Sequence, residues 1–349
     1  MGEDPKTSVV MPVNNGERWL AEAIESVLAQ TFTALELIIV DDGSTDASPD
    51  IIAAMSGRDS RIRAVRQPRR HGLVSALNRA LALARAPLLA RLDTDDIALP
   101  ERLARQARSF NEQPTLVLLG TSAEKIDENG RHIGDVRRET QSERLTTLLR
   151  KSNPFVHSSV MMRTALVQKL GGYREAFLGA EDVDLWLRLS EHGTVANLPQ
   201  PLVRYRIHGG NVTGRLGVRQ CFSARLAGAS ALARRTSGVD PAERLSGPPD
   251  WWASQAAHEF YAEAAQLCRF LDLADRGKLA AHSTAEITLP SVQQMIDLSH
   301  AEKKLAGRSL VNLLMERRRR GALSARRLVL ALATLLVGRT VYRSQASEP

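Results

Sequence analysis

Four short strand-like runs constrain the fold more than any other feature. They are Ser8–Val13 (SVVMPV), Leu35–Val40 (LELIIV), Arg61–Arg66 (RIRAVR) and Leu88–Leu92 (LLARL). Between them lie stretches with apolar residues three and four apart: Leu20, Ile24, Val27 and Leu28; then Ile51–Met55; then Leu73, Leu77, Leu81 and Ala84. This spacing predicts helices. Strands alternating with helices of about 10–15 residues predict an open, mostly parallel sheet with flanking helices. Sheets of that kind bind ligands beyond the carboxyl ends of their strands, near the switch point. Here those ends carry Asn14, Asp41-Asp42 and Asp93-Thr94-Asp95-Asp96, so polar groups from three strands are expected to share one crevice.

The last of these ends carries the chemistry. An apolar run stops abruptly at Asp93, Asp95 and Asp96. Three carboxylates within four residues repel one another, and at the mouth of a buried strand a divalent cation is the usual counter-charge. Asp93 and Asp95 form a D-x-D pair whose side chains share one face of an extended strand. The alternative is an acidic loop capping the helix that begins near Pro100. Asp41-Asp42-Gly43-Ser44 can likewise be read as a turn and helix cap, with Asp46 or Ser44 capping the helix through Ile51–Met55. No G-x-G-x-x-G follows the first strand and no G-x-x-x-x-G-K-[ST] occurs, which disfavours a dehydrogenase or P-loop enzyme.

Further along, a helix is expected from Pro100 to about Phe110 and a fifth strand at Leu116–Leu119. Asn129-Gly130 signals a hairpin. Another helix spans Glu143–Arg150, and a polar loop holding His157 leads into Val160–Met162. Glu181-Asp182-Val183-Asp184 opens an amphipathic helix with Leu185, Trp186 and Leu189 inward. Acids in a first turn are favoured by the helix dipole, which alone accounts for them. A last strand, Leu202–Ile207, precedes His208. Tyr173 and Trp186 read as core residues.

The segments SVVMPVNNGERWLAEAIESVLAQTF, LELIIVDDGSTDAS, HGLVSALNRALALARAPLLARLDTDD, HSSVMMR, LGGY, AEDVDLWLRL and LVRYRIH occur in this order over residues 7–213. Together they resemble the family 2 glycosyltransferases with the GT-A fold. Two departures are Asn14, where many members carry Tyr, and His71, where Asn is frequent. The resemblance implies that Pro12, Asn14 and Glu17 line a nucleotide pocket and that Asp42 or Asp41 contacts the base. Gly72 and Asn78 would lie near the nucleotide and ribose. Asp93 and Asp95 would hold Mg²⁺ or Mn²⁺ and through it the diphosphate, His208 would add a further metal or diphosphate contact, and Asp182 would be the general base. The implied activity is inverting transfer from a nucleotide sugar, a UDP-sugar being expected, to a hydroxyl of a glycan or lipid-linked acceptor in cell-surface polysaccharide or glycolipid synthesis. Two other functions are carried beside it. Asp93-Thr94-Asp95-Asp96-Ile97 loosely echoes the motif of haloacid dehalogenase-like phosphohydrolases, although that family places it after the first strand. A non-catalytic nucleotide or glycan binder is the second, against which the intact Asp93, Asp95 and Asp182 argue.

The expected division is a catalytic region at 1–213, a helical extension at 214–300 and a basic tail at 301–349. The tail holds eleven Lys and Arg against three acids, which equals the +8 of the whole 349-residue chain. Arg317–Arg320 precede the mostly apolar run Leu328–Val337, too short to span a bilayer. That pattern suits an amphipathic helix on an anionic membrane surface, with a packed core helix as the alternative. Apart from Tyr342, no aromatic residue is interleaved with the basic ones, so no nucleic-acid partner is expected. Cys221 and Cys268 form no motif, and MGEDPKTSVV is not a secretory signal, so a cytoplasmic location is expected, peripheral on the inner membrane face.

Overall fold

The computed structural model describes residues 4–150, 152–210, 217–251 and 261–275. The chain divides into two compact units, one reaching to Asn211 and one beginning at Val212, with Ala176–Ala180 belonging to the second.

In the first unit β1 (Thr7–Val13), β2 (Leu35–Asp42), β3 (Ile62–Gln67) and β4 (Leu88–Arg91) alternate with helices α1 (Leu20–Leu28), α2 (Ser48–Ser56) and α3 (Leu73–Leu83). Every residue of β1, β2 and β4 is buried, whereas β3 alternates between covered and exposed positions. Strands covered on both faces read as continuous apolar runs, and an edge strand reads as an alternating one. β5 (Ile97–Ala98), α4 (Arg102–Glu112), β6 (Leu116–Ile126), β7 (His132–Val136), α5 (Ser142–Leu149), β8 (Met161–Arg163), α6 (Thr164–Lys169), α7 (Glu181–Ser190) and β9 (Thr194–Arg206) follow.

These strands form one nine-stranded sheet in the order β3-β2-β1-β4-β8-β6-β9-β5, with β7 beside β6. The pairs among β3, β2, β1 and β4 are parallel, as is β6 with β9. β8 runs antiparallel between β4 and β6, and β5 with β9 and β7 with β6 are antiparallel too. The mostly parallel sheet expected from the sequence is thus a mixed one, parallel along its first four strands. Apolar runs report burial on two faces, which a mixed sheet provides equally well, and are silent on strand direction.

Helices α1 and α4 lay Leu20, Ile24, Val27, Leu103 and Phe110 against Val9, Leu37 and Leu119 of the sheet. Each such side chain contributes roughly 1.5–3 kcal/mol by leaving water. The second unit holds two described helices, Gly217–Ser237 and Ala262–Asp275. Phe222 stands 5.5 Å from the Trp251 ring and 5.8 Å from Tyr261, and both cysteines are buried. Of the expected helical extension at 214–300, residues 217–251 and 261–275 are described, and residues 276–349, including the basic tail, lie outside the described residues. No helix of the described residues is long and apolar enough to cross a membrane.

Candidate active site

The acidic cluster sits where β4 ends. One carboxylate oxygen each from Asp93, Asp95 and Asp96 lies within 4.8 Å of the others. Burial raises the Asp93 carboxyl above its usual range, and nearby Asp95 adds to this while Arg91 opposes it. Burial raises Asp96 well above the usual range, with Asp95 and then Asp93 adding to it. Asp96 Oδ2 makes no hydrogen bond of normal geometry, although the Ser158 hydroxyl tempers its charge. Crowded hard oxygens, with the buried Asp96 Oδ2 short of a hydrogen bond of normal geometry, fit a hard divalent cation.

Two buried arginines hold this cluster. Arg91, on β4 itself, donates to both Asp93 oxygens through Nη1 and Nη2. Arg206, at the end of β9, donates its backbone N–H to Asp96 Oδ1 at 2.8 Å and its Nε to Asp95 O at 2.8 Å. Its Nη2 reaches Glu22 at 2.6 Å. His208 meets the cluster at Asp95. Gly210 N–H donates to His208 Nδ1 at 3.1 Å, so the ring proton stands on Nε2, which donates to Asp95 Oδ2 at 2.8 Å. To ligate a metal through Nε2, His208 must move that proton to Nδ1 and give up the Gly210 contact. The ring also packs 4.5 Å from that of Trp19.

Asp182 lies half-buried in the first turn of α7. Asn153 Nδ2 donates to its Oδ2 at 2.6 Å and Val183 N–H to its Oδ1 at 2.7 Å. Burial raises this carboxyl above the usual range against those donors and the charge of Arg91. Asp184 has a different task. It is buried and paired with Arg174 and with Arg188, whose Nη2 is 2.7 Å away, so it anchors the helix. Burial also raises the Tyr173 hydroxyl, with Arg91 opposing and Asp182, Glu181 and Asp93 reinforcing. Arg91, Asp93, Tyr173 and Asp182 therefore share one electrostatic neighbourhood. Trp186 is fully buried, a core residue as its spacing predicted.

The residues expected at the nucleotide are tied to one another at the ends of β1 to β3. Asn14 Nδ2 donates to Asp42 O at 2.8 Å. Glu17 donates its N–H to Asp46 at 3.0 Å and accepts from Ala47 N–H at 2.8 Å, which clamps the start of α2. Asp46 also accepts Ser48 N–H at 3.0 Å, at the first residue of α2, whose N-cap position is Ala47. Asp41 accepts Ser44 N–H at 2.9 Å and faces Arg66 at 3.4 Å. Asp42 accepts from His71 N–H, Gly72 N–H and Gln67 Nε2 at 2.7, 2.8 and 3.2 Å, so its carboxylate shapes the 67–72 loop. Gly72 has φ +101°, and nothing lies within 4 Å of where a Cβ would stand. Pro12 is buried in β1 opposite Val40, beyond the point where the β4 pairing stops. Asn78 is committed elsewhere: its amide takes Tyr173 N–H at 2.9 Å and donates to Tyr173 O at 2.7 Å.

Sequence reasoning missed Arg91, Asn153, Ser158 and Arg206. For Arg91 a signal existed, since it interrupts an apolar run two residues before the acidic cluster, whereas Arg206 reaches that cluster from 110 residues away. Asn153 and Ser158 carry none, because their partners lie 29 and 65 residues away.

Residues 8–171 match the family described as Glycosyl transferase family 2. The putative glycosyltransferase EpsE of Bacillus subtilis (strain 168) is 36% identical over 212 residues, covering 59% of this chain and 74% of that protein. The amylovoran biosynthesis glycosyltransferase AmsE of Erwinia amylovora is 33% identical over 213 residues, covering 60% and 79%. Among solved structures, S. aureus TarS 1-349 in complex with UDP-GlcNAc aligns with a TM-score of 0.56 at 16% identity, over 97% of this chain and 92% of that one. The mannosyltransferase PcManGT from Pyrobaculum calidifontis, in complex with GDP-Man and Mn²⁺, aligns with a TM-score of 0.51 at 19% identity, over 96% and 88%. At such identities the two structures speak to the fold alone.

Proposed function

The chain belongs to glycosyl transferase family 2 and is a glycosyltransferase of GT-A-like fold, and from that premise we propose an inverting, metal-dependent transfer of a sugar from a nucleotide-sugar donor to an acceptor hydroxyl. The observation that carries this reading is the acidic triad Asp93, Asp95 and Asp96 at the end of β4, with the charge of Arg91 acting on both Asp93 and Asp182. Asp93, Asp95 and Asp96 would hold Mg²⁺ or Mn²⁺, which supplies positive charge where the diphosphate leaves. Asp182 accepts the proton of the acceptor hydroxyl as its oxygen bonds the anomeric carbon and the bond to the diphosphate breaks. A carboxyl raised by burial is a better proton acceptor than an exposed one, and Asn153 and Val183 keep it ionised and aimed. A single base acting on the face opposite the leaving group gives inversion.

Pro12, Asn14, Glu17, Asp41, Asp42 and Gly72 form the nucleotide end in this reading, with Asn78 supporting it through Tyr173. His208 orients Asp95. The solved neighbours hold UDP-GlcNAc and GDP-Man, so a nucleotide sugar of this kind is the donor class, a UDP-sugar the first to try. The acceptor is a glycan or lipid-linked hydroxyl of a cell-surface polysaccharide or glycolipid, a reading supported by the relative AmsE, a glycosyltransferase of amylovoran biosynthesis. The enzyme would act in the cytoplasm, with residues 303–343 against the inner membrane face. The phosphohydrolase alternative needs its acidic motif after the first strand, whereas Asp93 follows β4.

The test is calorimetric titration of UDP and GDP with Mn²⁺ and with EDTA, beside donor turnover by Asp182→Asn. Binding should require the cation, and the variant should bind normally while turnover falls about 10²–10⁴-fold. Equal affinity in EDTA, or near-normal turnover by the variant, would defeat the reading.

A further inference from the structure

Residues 153–159 run from the end of α5 into β8, and their side chains diverge. Asn153 Oδ1 accepts Phe155 N–H at 3.1 Å, which fixes the amide so that Nδ2 faces Asp182 Oδ2 at 2.6 Å. Ser158 is 1% exposed. Its hydroxyl accepts from Asp93 N–H at 3.2 Å and from Arg91 Nη1 at 3.0 Å, and donates to Asp93 Oδ2 at 3.0 Å. A hydroxyl has one proton and two lone pairs, so every direction of this group is in use. The segment's own hold on the sheet is made by another side chain. Ser159 Oγ accepts Thr121 N–H at 3.0 Å and donates to Val156 O at 2.8 Å. Anchoring and aiming thus fall to different residues.

We propose that Asn153 and Ser158 are the positioning residues of the transfer site, one segment setting both the proton-accepting Asp182 and the diphosphate-side Asp93. This rests on the roles given to those two carboxylates above. Four residues of chain separate the two contacts, so the distance between base and leaving group is set by one short covalent span. Supports of this kind matter because a ligating carboxylate that loses its partner samples other rotamers before it can bind.

The experiment uses the full chain, with UDP and GDP as probes and the better binder carried forward. Ser158→Ala should weaken binding in Mn²⁺ by about tenfold or more while the metal-free protein still unfolds in one cooperative transition. Asn153→Ala should leave the affinity in Mn²⁺ unchanged, lower kcat, and move the acidic limb of the kcat profile to higher pH, since Asp182 loses a donor to its charged form. A general loss of structure would abolish that cooperative transition; if Ser158→Ala does not fold, Ser158→Cys replaces it. The proposal is overturned if Ser158→Ala binds within twofold of wild type while Asp93→Asn loses the Mn²⁺ dependence. It is equally overturned if Asn153→Ala keeps wild-type kcat and pH profile while Asp182→Asn is inactive. If Asp93→Asn and Asp182→Asn themselves change nothing, the assignments beneath it fall, and the proposal with them.

Discussion

Arg91 has a side chain only 3% exposed, and Asp93 is its main compensation for leaving water. Burial alone disfavours its charge, yet Asp93 and the neighbouring groups raise it above the usual range. Removing one partner of a buried pair typically costs about 3–5 kcal/mol, because the other charge is stranded. The Asp93 side chain keeps 31% exposure, so Arg91→Met should cost less, roughly 2–3 kcal/mol. Urea unfolding measures this, and adding Asp93→Asn should recover part of the loss. A cost under about 0.5 kcal/mol, the level of an ordinary surface change, would show that the pair contributes nothing net.

The turn before α7 illustrates how an element can depend on one position. Gly171 and Gly172 have φ of +78° and +69°, and a Cβ on Gly172 would stand 2.4 Å from Asn78 Oδ1 and 2.9 Å from Leu81. Gly172→Ala should therefore break the grip of Asn78 on Tyr173, lower the melting temperature and impair turnover; normal values for both would show that the turn relaxes freely. The same region shows what sequence can and cannot reveal. β1, β2 and β4 were legible because burial on both faces demands unbroken apolar runs. β6 was legible only as far as Leu119, since beyond Gly120 it continues as TSAEKI, and β5 is two residues paired through backbone alone. Asp182 and Asp184 look alike as letters. About 100° of rotation per residue puts them on different helix faces, and Arg188, four residues beyond Asp184, was the available sign that Asp184 is structural. The acidic cluster was readable because its members are adjacent in sequence. Their supports, Ser158 and Arg206, are adjacent only in the fold.

For the whole molecule, His157 couples stability to pH. Burial, with Arg91 adding to it, holds its pKa well below the ordinary value of 6.5. The unfolded chain takes up that proton as pH falls below about 6.5 and the folded chain does not, so stability drops with acidification. Melting temperatures between pH 7 and 5 should fall less steeply for His157→Asn than for the wild type; identical slopes would assign the acid sensitivity to other groups. The basic tail makes a separate prediction. With about 1 kcal/mol per basic residue near an anionic surface, the full chain should sediment with acidic liposomes at low salt, and a chain ending at Ser299 should not. If both stay in solution, the tail serves packing or assembly instead. The sheet order has one more consequence, for how the protein is made. Arg206 N–H reaches an Asp96 carboxylate 110 residues earlier in the chain, and β9 is the strand that pairs with β5. A ribosome adding roughly 5–20 residues per second exposes the acidic cluster on the order of ten seconds before Arg206 emerges. Through that interval the nascent anionic patch has Arg91 beside it from the start, gains Ser158 midway, and waits for Arg206.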